Sequence, residues 1–400
     1  MSKILFITNH SYMFWQFRRE LVESFLDAGW EVLIATPFAG HEKDLEGLGA
    51  RVIETKLERR SVNPLGELKL ISFYRNLIRN EKPGLVITYS IKPNIYGGLA
   101  AAGEKIPYAA NVQGMGTAFE KKGLKEVAAF LYRKALKKAG IVFFENSHDA
   151  RFFVRNRIVD KDKVCVLPGA GVNTDFYAYQ PPHAGRSDNG VPGISPQEAA
   201  GLQGPEASAF PNQEAGQKVH FLYLGRIMKE KGIDELFEAA EEVFSRRGAR
   251  MVLDLVGFCE EAEKPVYEPK IRKLEEKGVL VFHGFQEDPR PWYGLADCVV
   301  LPSYHEGMSN VLLEAASSGR MLITSDIPGC REAVEGGKTG LLVKAKDAGS
   351  LARAMEKVLL LSDEERIRAG LAGRERMVKK FSRRKVVERV WRECRTRGLL

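Results

Sequence analysis

Two short stretches of this chain carry charged residues at spacings that could do chemistry. In 299–319, VVLPSYHEGMSNVLLEAASSG, an apolar run ends at Pro302 and a helical pattern opens near Ser309, with Val311, Leu312, Ala315 and Ala316 inward. Glu306 falls in the turn and Glu314 two helical turns on, so both can point at whatever sits over the helix start. The backbone amides of Gly307, Met308, Ser309 and Asn310 would face the same spot, with the partial positive charge of a helix N-terminus. An anion suits the amides and hydroxyls suit the glutamates, which describes a sugar nucleotide. A buried strand–helix unit with two solvated glutamates fits this stretch equally well.

The second stretch, 225–232, reads GRIMKEKG. It follows a strand pattern and precedes the helical run Ile233, Leu236, Phe237, Ala240, so Gly225, Arg226 and Lys231 belong at the open end of a sheet. A planar guanidinium and a point-charge ammonium suit a diphosphate, each charge-assisted hydrogen bond contributing about 1.5–3 kcal/mol. A basic turn with capping glycines is the plainer reading of this stretch alone.

The elements that must position these groups alternate strand and helix. Apolar runs at 4–8, 32–35, 85–88, 108–110, 141–144 and 164–167 are separated by helical patterns such as 17–28 and 68–80, which predicts a parallel sheet covered on both faces. The pattern stops between Tyr179 and Gln217, a stretch rich in Pro, Gly, Ala and small polar residues. It resumes with strands at 219–224, 252–256, 279–283, 298–301, 321–324 and 340–343. The fold class is α/β, with a first Rossmann-like domain at 1–178, a flexible insert at 179–217, a second Rossmann-like domain at 218–375, and a helical tail at 376–400 that can cross back to the first. Two such domains make a cleft, where small ligands bind. The loop after the first strand, Asn9-His10-Ser11-Tyr12, lacks the G-x-G-x-x-G of a nicotinamide dehydrogenase, and Gly114-Met115-Gly116 reads as a loop at open strand ends.

Composition narrows the class further. Five scattered cysteines without a CxxC or Cys/His cluster fit a reducing compartment and argue against disulfides and structural zinc. No signal-peptide core or membrane-length apolar run is seen, so a cytoplasmic location is expected. A net charge of +8 calls for an anionic partner. In 120–138 an amphipathic helix is expected, with Leu124, Val127, Ala128, Leu131, Ala135 and Leu136 on one side and lysines on the other, suited to an anionic membrane surface. Tyr12, Phe14, Trp15, Phe17, Arg18 and Arg19 make a second aromatic and basic group. Ordinary helices packed on a sheet would explain both. No nucleic-acid motif interleaves the basic residues.

Taken together, G-R-x-x-x-x-K-G, E-x-x-x-x-x-x-x-E, S-D-I-P-G-C-R-E-A-V and G-x-x-G-L-L-V resemble the C-terminal domain of the family 4 retaining glycosyltransferases, over about 219–343. PGAGVNTDF at 168–176 is similar to that family's segment before its interdomain linker, and F-x-x-F-R-x-x-L from Phe14 and QGMGTAF from Gln113 resemble the branch acting on polyprenyl-diphosphate-linked saccharides. The resemblance implies the GT-B fold, two Rossmann-like domains facing across a cleft. It implies a UDP-sugar donor, with Arg226 and Lys231 on the diphosphate, Glu306 on the donor sugar, Glu314 on the ribose, and Gly225, Gly307, Met308, Ser309 and Asn310 lining the site. Glu306, Arg226 and Lys231 would be the catalytic set, with no metal and no cofactor, since two cations already face the diphosphate. Asp160-Lys161-Asp162 is a D-x-D by letter in a charged turn, read as solvated.

Where the family has Phe-Pro this chain has Met308-Ser309, and where many relatives have His-Gly it has Gln113-Gly114. Glutamine cannot act as a base, so front-side displacement assisted by the leaving diphosphate is the mechanism implied. His10, Trp15, Arg18, Arg19 and Gln113 are the candidate acceptor contacts. The expectation is a hexosyl or N-acetylhexosaminyl transferase, peripheral on the inner face of the membrane, serving a polyprenyl-diphosphate-linked saccharide. A non-hydrolysing UDP-sugar epimerase of the same architecture is the alternative.

Overall fold

Parallel strands covered on both faces need unbroken apolar runs, and the first half of the chain supplies them. In the computed structural model, which describes residues 2–57, 64–115, 119, 123–181 and 218–400, these runs form Lys3–Ile7 (β1), Glu31–Thr36 (β2), Arg51–Glu54 (β3), Leu85–Tyr89 (β4), Tyr108–Val112 (β5), Ile141–Phe144 (β6) and Val164–Val166 (β7). All pair in parallel, in the order β3-β2-β1-β4-β5-β6-β7. Along β1, Ile4 and Phe6 join one core cluster while Leu5 and Ile7 join the other, the two-residue alternation of a strand. β3 was not expected. Its sequence RVIE has only two apolar residues between charged ends, which blunt an exposed sheet edge.

The helix Ser11–Asp27 buries Ser11, Phe14, Arg18, Leu21, Val22 and Phe25, a stripe at three- and four-residue spacing. It packs in the same core cluster as Val386, Val390 and Cys394 of the helix Arg383–Thr396. Trp391 of that last helix stacks on Phe25 at 4.3 Å and donates its indole N–H to Ser24 Oγ at 2.9 Å. By contact, Arg383–Leu400 therefore form one unit with Met1–Gly171.

The second unit, Val172–Ser382, is built on Val219–Arg226 (β8), Met251–Phe258 (β9), Leu280–Gly284 (β10), Cys298–Leu301 (β11), Met321–Ser325 (β12) and Gly340–Val343 (β13), again parallel, in the order β10-β9-β8-β11-β12-β13. Its boundaries fall at Gly171/Val172 and Ser382/Arg383, where the sequence places them at 178 and 375, because Tyr177, Met377 and Phe381 belong to this unit's core. Most of the insert expected at 179–217 lies outside the described residues, as do Gly116, Thr117, Ala118 and 120–122. Asp160 is exposed in a turn leading to the short 3₁₀ segment Lys161–Lys163, and Lys163 pairs with it at 3.4 Å.

The expected amphipathic stripe in 120–138 divides differently. In the helix Leu124–Leu136, Ala128, Tyr132, Ala135 and Leu136 are buried, whereas Leu124, Val127 and Phe130 are exposed. Two of the residues assigned to the inward face thus point outward, since the aromatic Tyr132, packed on Phe153, sets which face turns in. Among the described residues no helix is long and apolar enough to cross a membrane.

Arg383 anchors the last helix to the first unit: buried, it donates to the carbonyls of Gly171 and Gln16 and pairs with Glu20 at 3.1 Å. Arg383→Ala is expected to destabilise the protein by roughly 3–5 kcal/mol, the cost of breaking a buried ion pair from one side, read as a lower urea midpoint.

Candidate functional site

The second sheet winds outward in both directions from the boundary between β8 and β11, so the loops leaving those two strands diverge and leave a crevice at their carboxyl ends. Both charged stretches sit there. The loop after β8 runs from Arg226 to Gly232, which starts the helix Ile233–Arg247, and the loop after β11 runs from Pro302 to Ser309, the cap of the helix Asn310–Ser317.

Gly232 holds the two loops together. Its φ is +72°, and a Cβ there would lie 2.1 Å from the carbonyl oxygen of Pro302, so only glycine permits the approach. The Tyr304 amide then donates to the Glu230 carbonyl at 2.9 Å, and the Tyr304 hydroxyl reaches the Glu235 carboxylate at 2.6 and 2.7 Å. With the backbones so fixed, Lys231 Nζ lies 2.5 Å from Glu306 Oε1, and Ser303 Oγ donates to the same oxygen at 2.8 Å. An ammonium has three donors, so Lys231 can keep Glu306 and still meet an incoming anion.

A third loop supports the turn from behind. Gly329, at φ +84°, approaches so closely that a Cβ would sit 2.5 Å from the Glu306 carbonyl and 2.6 Å from that of Gly307. Its own carbonyl accepts the Ser309 amide at 3.0 Å. That corrects the expectation of four amides facing one anion, because the Ser309 N–H is already committed. Ser309 Oγ accepts from the Leu312 amide at 3.4 Å, an N-cap. Met308 turns its side chain into the core, leaving only its backbone toward the turn.

Arg226 stands at the end of β8 with its side chain half-exposed, paired with Glu260 at 3.0 Å. Its carbonyl accepts the buried Tyr223 hydroxyl at 2.6 Å. Burial, and then the charge of Glu306, push the Tyr223 phenol well above its ordinary range against the opposing pull of Arg226, so it remains a neutral donor. Tyr223 thus lies within electrostatic reach of both charged loops. Gly225 faces Gly257 across the β8–β9 ladder, where a Cβ on Gly257 would meet the Gly225 carbonyl at 1.8 Å.

Glu314 has a different partner from Glu306. It is buried in the helix Asn310–Ser317 and accepts from the Tyr293 hydroxyl at 2.9 Å, burial and that carboxylate driving the Tyr293 phenol upward. Asn310, the first helical residue, has its Oδ1 buried without a hydrogen-bond partner.

In the first unit the candidate acceptor residues separate. Arg18 is not at a surface. It sits on the inward stripe of its helix, 6% exposed, pairs with Glu145 at 2.5 Å and lies over the Tyr89 ring at 5.0 Å. Phe14 likewise packs against Phe6 and Tyr89. One position along each, Trp15, half-buried against the edge of the core, stacks on His41 at 5.8 Å, and Arg19 lies over Trp15 at 5.2 Å. His10 precedes the helix at its N-cap position, and Gln113 follows β5.

Sequence reasoning missed Ser303, Tyr304, Tyr223, Glu260, Tyr293 and Gly329. The Pro-Gly pair before Cys330 was a usable turn signal for Gly329; nothing local marked Glu260 or Tyr293 as partners.

Comparison with known proteins agrees with the two-unit plan. Residues 3–146 match a family described as "Glycosyl transferase 4-like", and residues 218–360 one described as "Glycosyl transferases group 1". The chain is 29% identical over 378 residues, 92% of each protein, to an N,N'-diacetylbacillosaminyl-diphospho-undecaprenol alpha-1,3-N-acetylgalactosaminyltransferase of Campylobacter jejuni. It is 31% identical over 186 residues to the capsular polysaccharide biosynthesis glycosyltransferase CapM of Staphylococcus aureus, covering 44% of this chain and 48% of that one. In fold it is similar to Anabaena HepE, solved in complex with UDP, with a TM-score of 0.75 at 16% identity over 98% of this chain and 100% of that one.

Gly232→Ala should drive Pro302 away and separate Lys231 from Glu306. The expected cost is about 1–3 kcal/mol, as for overpacking elsewhere, measured by denaturant unfolding.

Proposed function

The chain belongs to the glycosyltransferases of GT-B fold, with a 4-like first half and a group 1 second half, and we propose that it transfers a hexose or N-acetylhexosamine, with retention, from a UDP-sugar to a polyprenyl-diphosphate-linked saccharide. The observation that carries this reading is the Lys231–Glu306 contact at the reversal of the second sheet. A cation for the diphosphate and a carboxylate for sugar hydroxyls stand within one hydrogen bond of each other. The full-length similarity to a transferase that by name acts on a diphospho-undecaprenol sugar supports the acceptor class.

In this reading Arg226 and Lys231 bind the diphosphate and stabilise the charge it gains as the bond from sugar C1 to the phosphate oxygen breaks. The acceptor hydroxyl attacks C1 from the same face, and its proton passes to the leaving phosphate oxygen. Glu306 orients the sugar, and Glu314 accepts from the ribose. The two side-chain cations supply the positive charge, so the mechanism needs no divalent ion and no cofactor. An epimerase would bind the same donor, but the matched families are transferases. Incubating labelled UDP-sugar without acceptor separates the two, because an epimer would form only with the rival.

The exposed Leu124, Val127 and Phe130, with Lys125 and Lys134 on the same helix, suit a cytoplasmic leaflet of anionic lipid, each basic residue contributing about 1 kcal/mol. Val127→Ser with Phe130→Ser should reduce co-sedimentation with phosphatidylserine vesicles; equal binding by parent and variant would count against a membrane role for this face. No nucleic-acid partner is proposed.

For the donor site, Arg226→Ala and Lys231→Ala are each expected to lower kcat by roughly 10²-fold or more, in steady-state assays with the UDP-sugar that most raises the melting temperature of the parent. Glu306→Ala should reduce kcat. Glu314→Gln, which preserves the Tyr293 contact, should chiefly weaken UDP affinity. Near-parental rates in the Arg226/Lys231 double variant would remove the basis of the assignment.

A further inference from the structure

The surplus positive charge of this chain is concentrated at one place. Of its sixty lysines and arginines and fifty-two aspartates and glutamates, ten cations and two anions fall in 376–400, so the other 375 residues hold fifty of each and are balanced. Most of that segment is the helix Arg383–Thr396, which belongs to the first unit.

The helix divides by face. At about 100° of turn per residue, Val386, Val390 and Cys394 share one side and are buried, while Arg384, Lys385, Glu388, Arg392 and Arg395 share the other and are exposed. Arg384 and Arg392 are 89% and 67% exposed. The face carries four cations and one glutamate, and Arg384 already holds that glutamate at 3.2 Å. From Arg384 to Arg395 it runs about 17 Å along the axis.

The cations stand on a fixed platform. Trp391 stacks on Phe25 beneath them, and Arg383 is paired with Glu20. Arg395 lies over the Trp391 ring at 4.9 Å, which fixes where its guanidinium stands. Charges held on a docked helix have little freedom left to lose when a partner arrives, so they bind more tightly than the same charges on a loose tail.

The chemistry of the partner follows from what the face lacks and where it points. Among the described residues of this helix no large apolar side chain is exposed, so nothing on it would enter a lipid layer. The helix packs on the layer of the first sheet that holds Ile4 and Phe6, whereas Leu124–Leu136, with exposed Leu124, Val127 and Phe130, packs on the layer that holds Leu5 and Ile7. One flat bilayer cannot cover both faces of a sheet. The helix's single aromatic, Trp391, is half-buried under Arg395 and offers no ring on which a base could stack. Three guanidinium forks and one ammonium are left, and a planar fork matches a carboxylate with two parallel hydrogen bonds.

We propose that the outer face of Arg383–Thr396 is a docking surface for an acidic segment of another protein, about five residues long if extended, gripped through its carboxylates. The choice of protein over lipid rests on the membrane reading of the helix on the opposite face, and the test separates the two.

The test uses the full chain and a fluorescein-labelled peptide of ten glutamates, followed by anisotropy, with a ten-glutamine peptide as control. The parent should bind the acidic peptide alone and lose most of that binding between about 50 and 250 mM salt. Arg384→Glu with Arg392→Glu and Arg395→Glu should weaken binding about tenfold or more. Arg384→Gln with Arg392→Gln and Arg395→Gln should fall between, and this variant carries the test if the charge-reversed protein melts early. Lys338→Glu with Lys344→Glu, exposed cations of the second unit, should leave binding unchanged. A parent that ignores the acidic peptide, arginine variants that bind it as the parent does, or an equal loss in the Lys338/Lys344 variant overturns the proposal. So does an equal or higher affinity for a ten-base oligothymidylate, which would give the face to a nucleic acid. Phosphatidylserine vesicles decide the lipid question: a loss of co-sedimentation in the arginine variants beyond that of the Lys338/Lys344 variant gives the face to the membrane and overturns the proposal. Peptide binding by a parent that binds no vesicles would instead sink the membrane reading and leave this one standing.

Discussion

The charged crevice of the second unit depends on one absence, the missing Cβ of Gly232. Without it the Pro302 carbonyl closes on the start of the next helix, and two loops that leave adjacent strands in divergent directions are held as neighbours. The neighbouring residue, Lys231, then has its ammonium against Glu306. Gly329 does the same for the far side of the turn, fitting beneath the carbonyls of Glu306 and Gly307. Close backbone approach, more than any side-chain contact, sets where the charges stand.

Both sheets present polar groups at the place where their winding reverses, and they do so with different chemistry. The second unit gathers ions, Arg226 with Glu260 and Lys231 with Glu306, at the edge of a buried core. In the first unit Arg18 and Glu145 are turned inward, and Asn9, Ser90 and Gln113 meet after the central strands, with the Lys92–Glu67 pair close by in the chain. A charged edge selects for a diphosphate.

Much of this was legible in the amino-acid order. The unbroken apolar runs identified twelve of the thirteen described strands, since strands buried on both faces are mostly apolar, and β3 escaped because RVIE holds only two apolar residues between charged ends. The glycines and charges of 225–232 and 299–319 marked the site because local spacing fixes which groups share a loop. What depends on distant residues was not legible. Whether the Ser309 amide is available is decided by Gly329, twenty residues on, and whether Glu314 is solvated is decided by Tyr293. Arg18 is an instructive case: its spacing from Phe14 and Leu21 put it on the inward stripe, but its charge drew it to the surface in the reading. The pairing of Asn9, Ser90 and Gln113 spans three loops and had no local signal at all.

The helix Arg383–Thr396 completes the first unit although the whole of the second unit precedes it along the chain. During synthesis from the N-terminus, every residue of the later sheet has therefore been made before the earlier one receives its final layer. Until then the Phe25 ring lacks the Trp391 indole that stacks on it, and the apolar stripe of Ser11–Asp27 lacks Val386 and Val390. The order of assembly of the first unit thus runs against the order of translation.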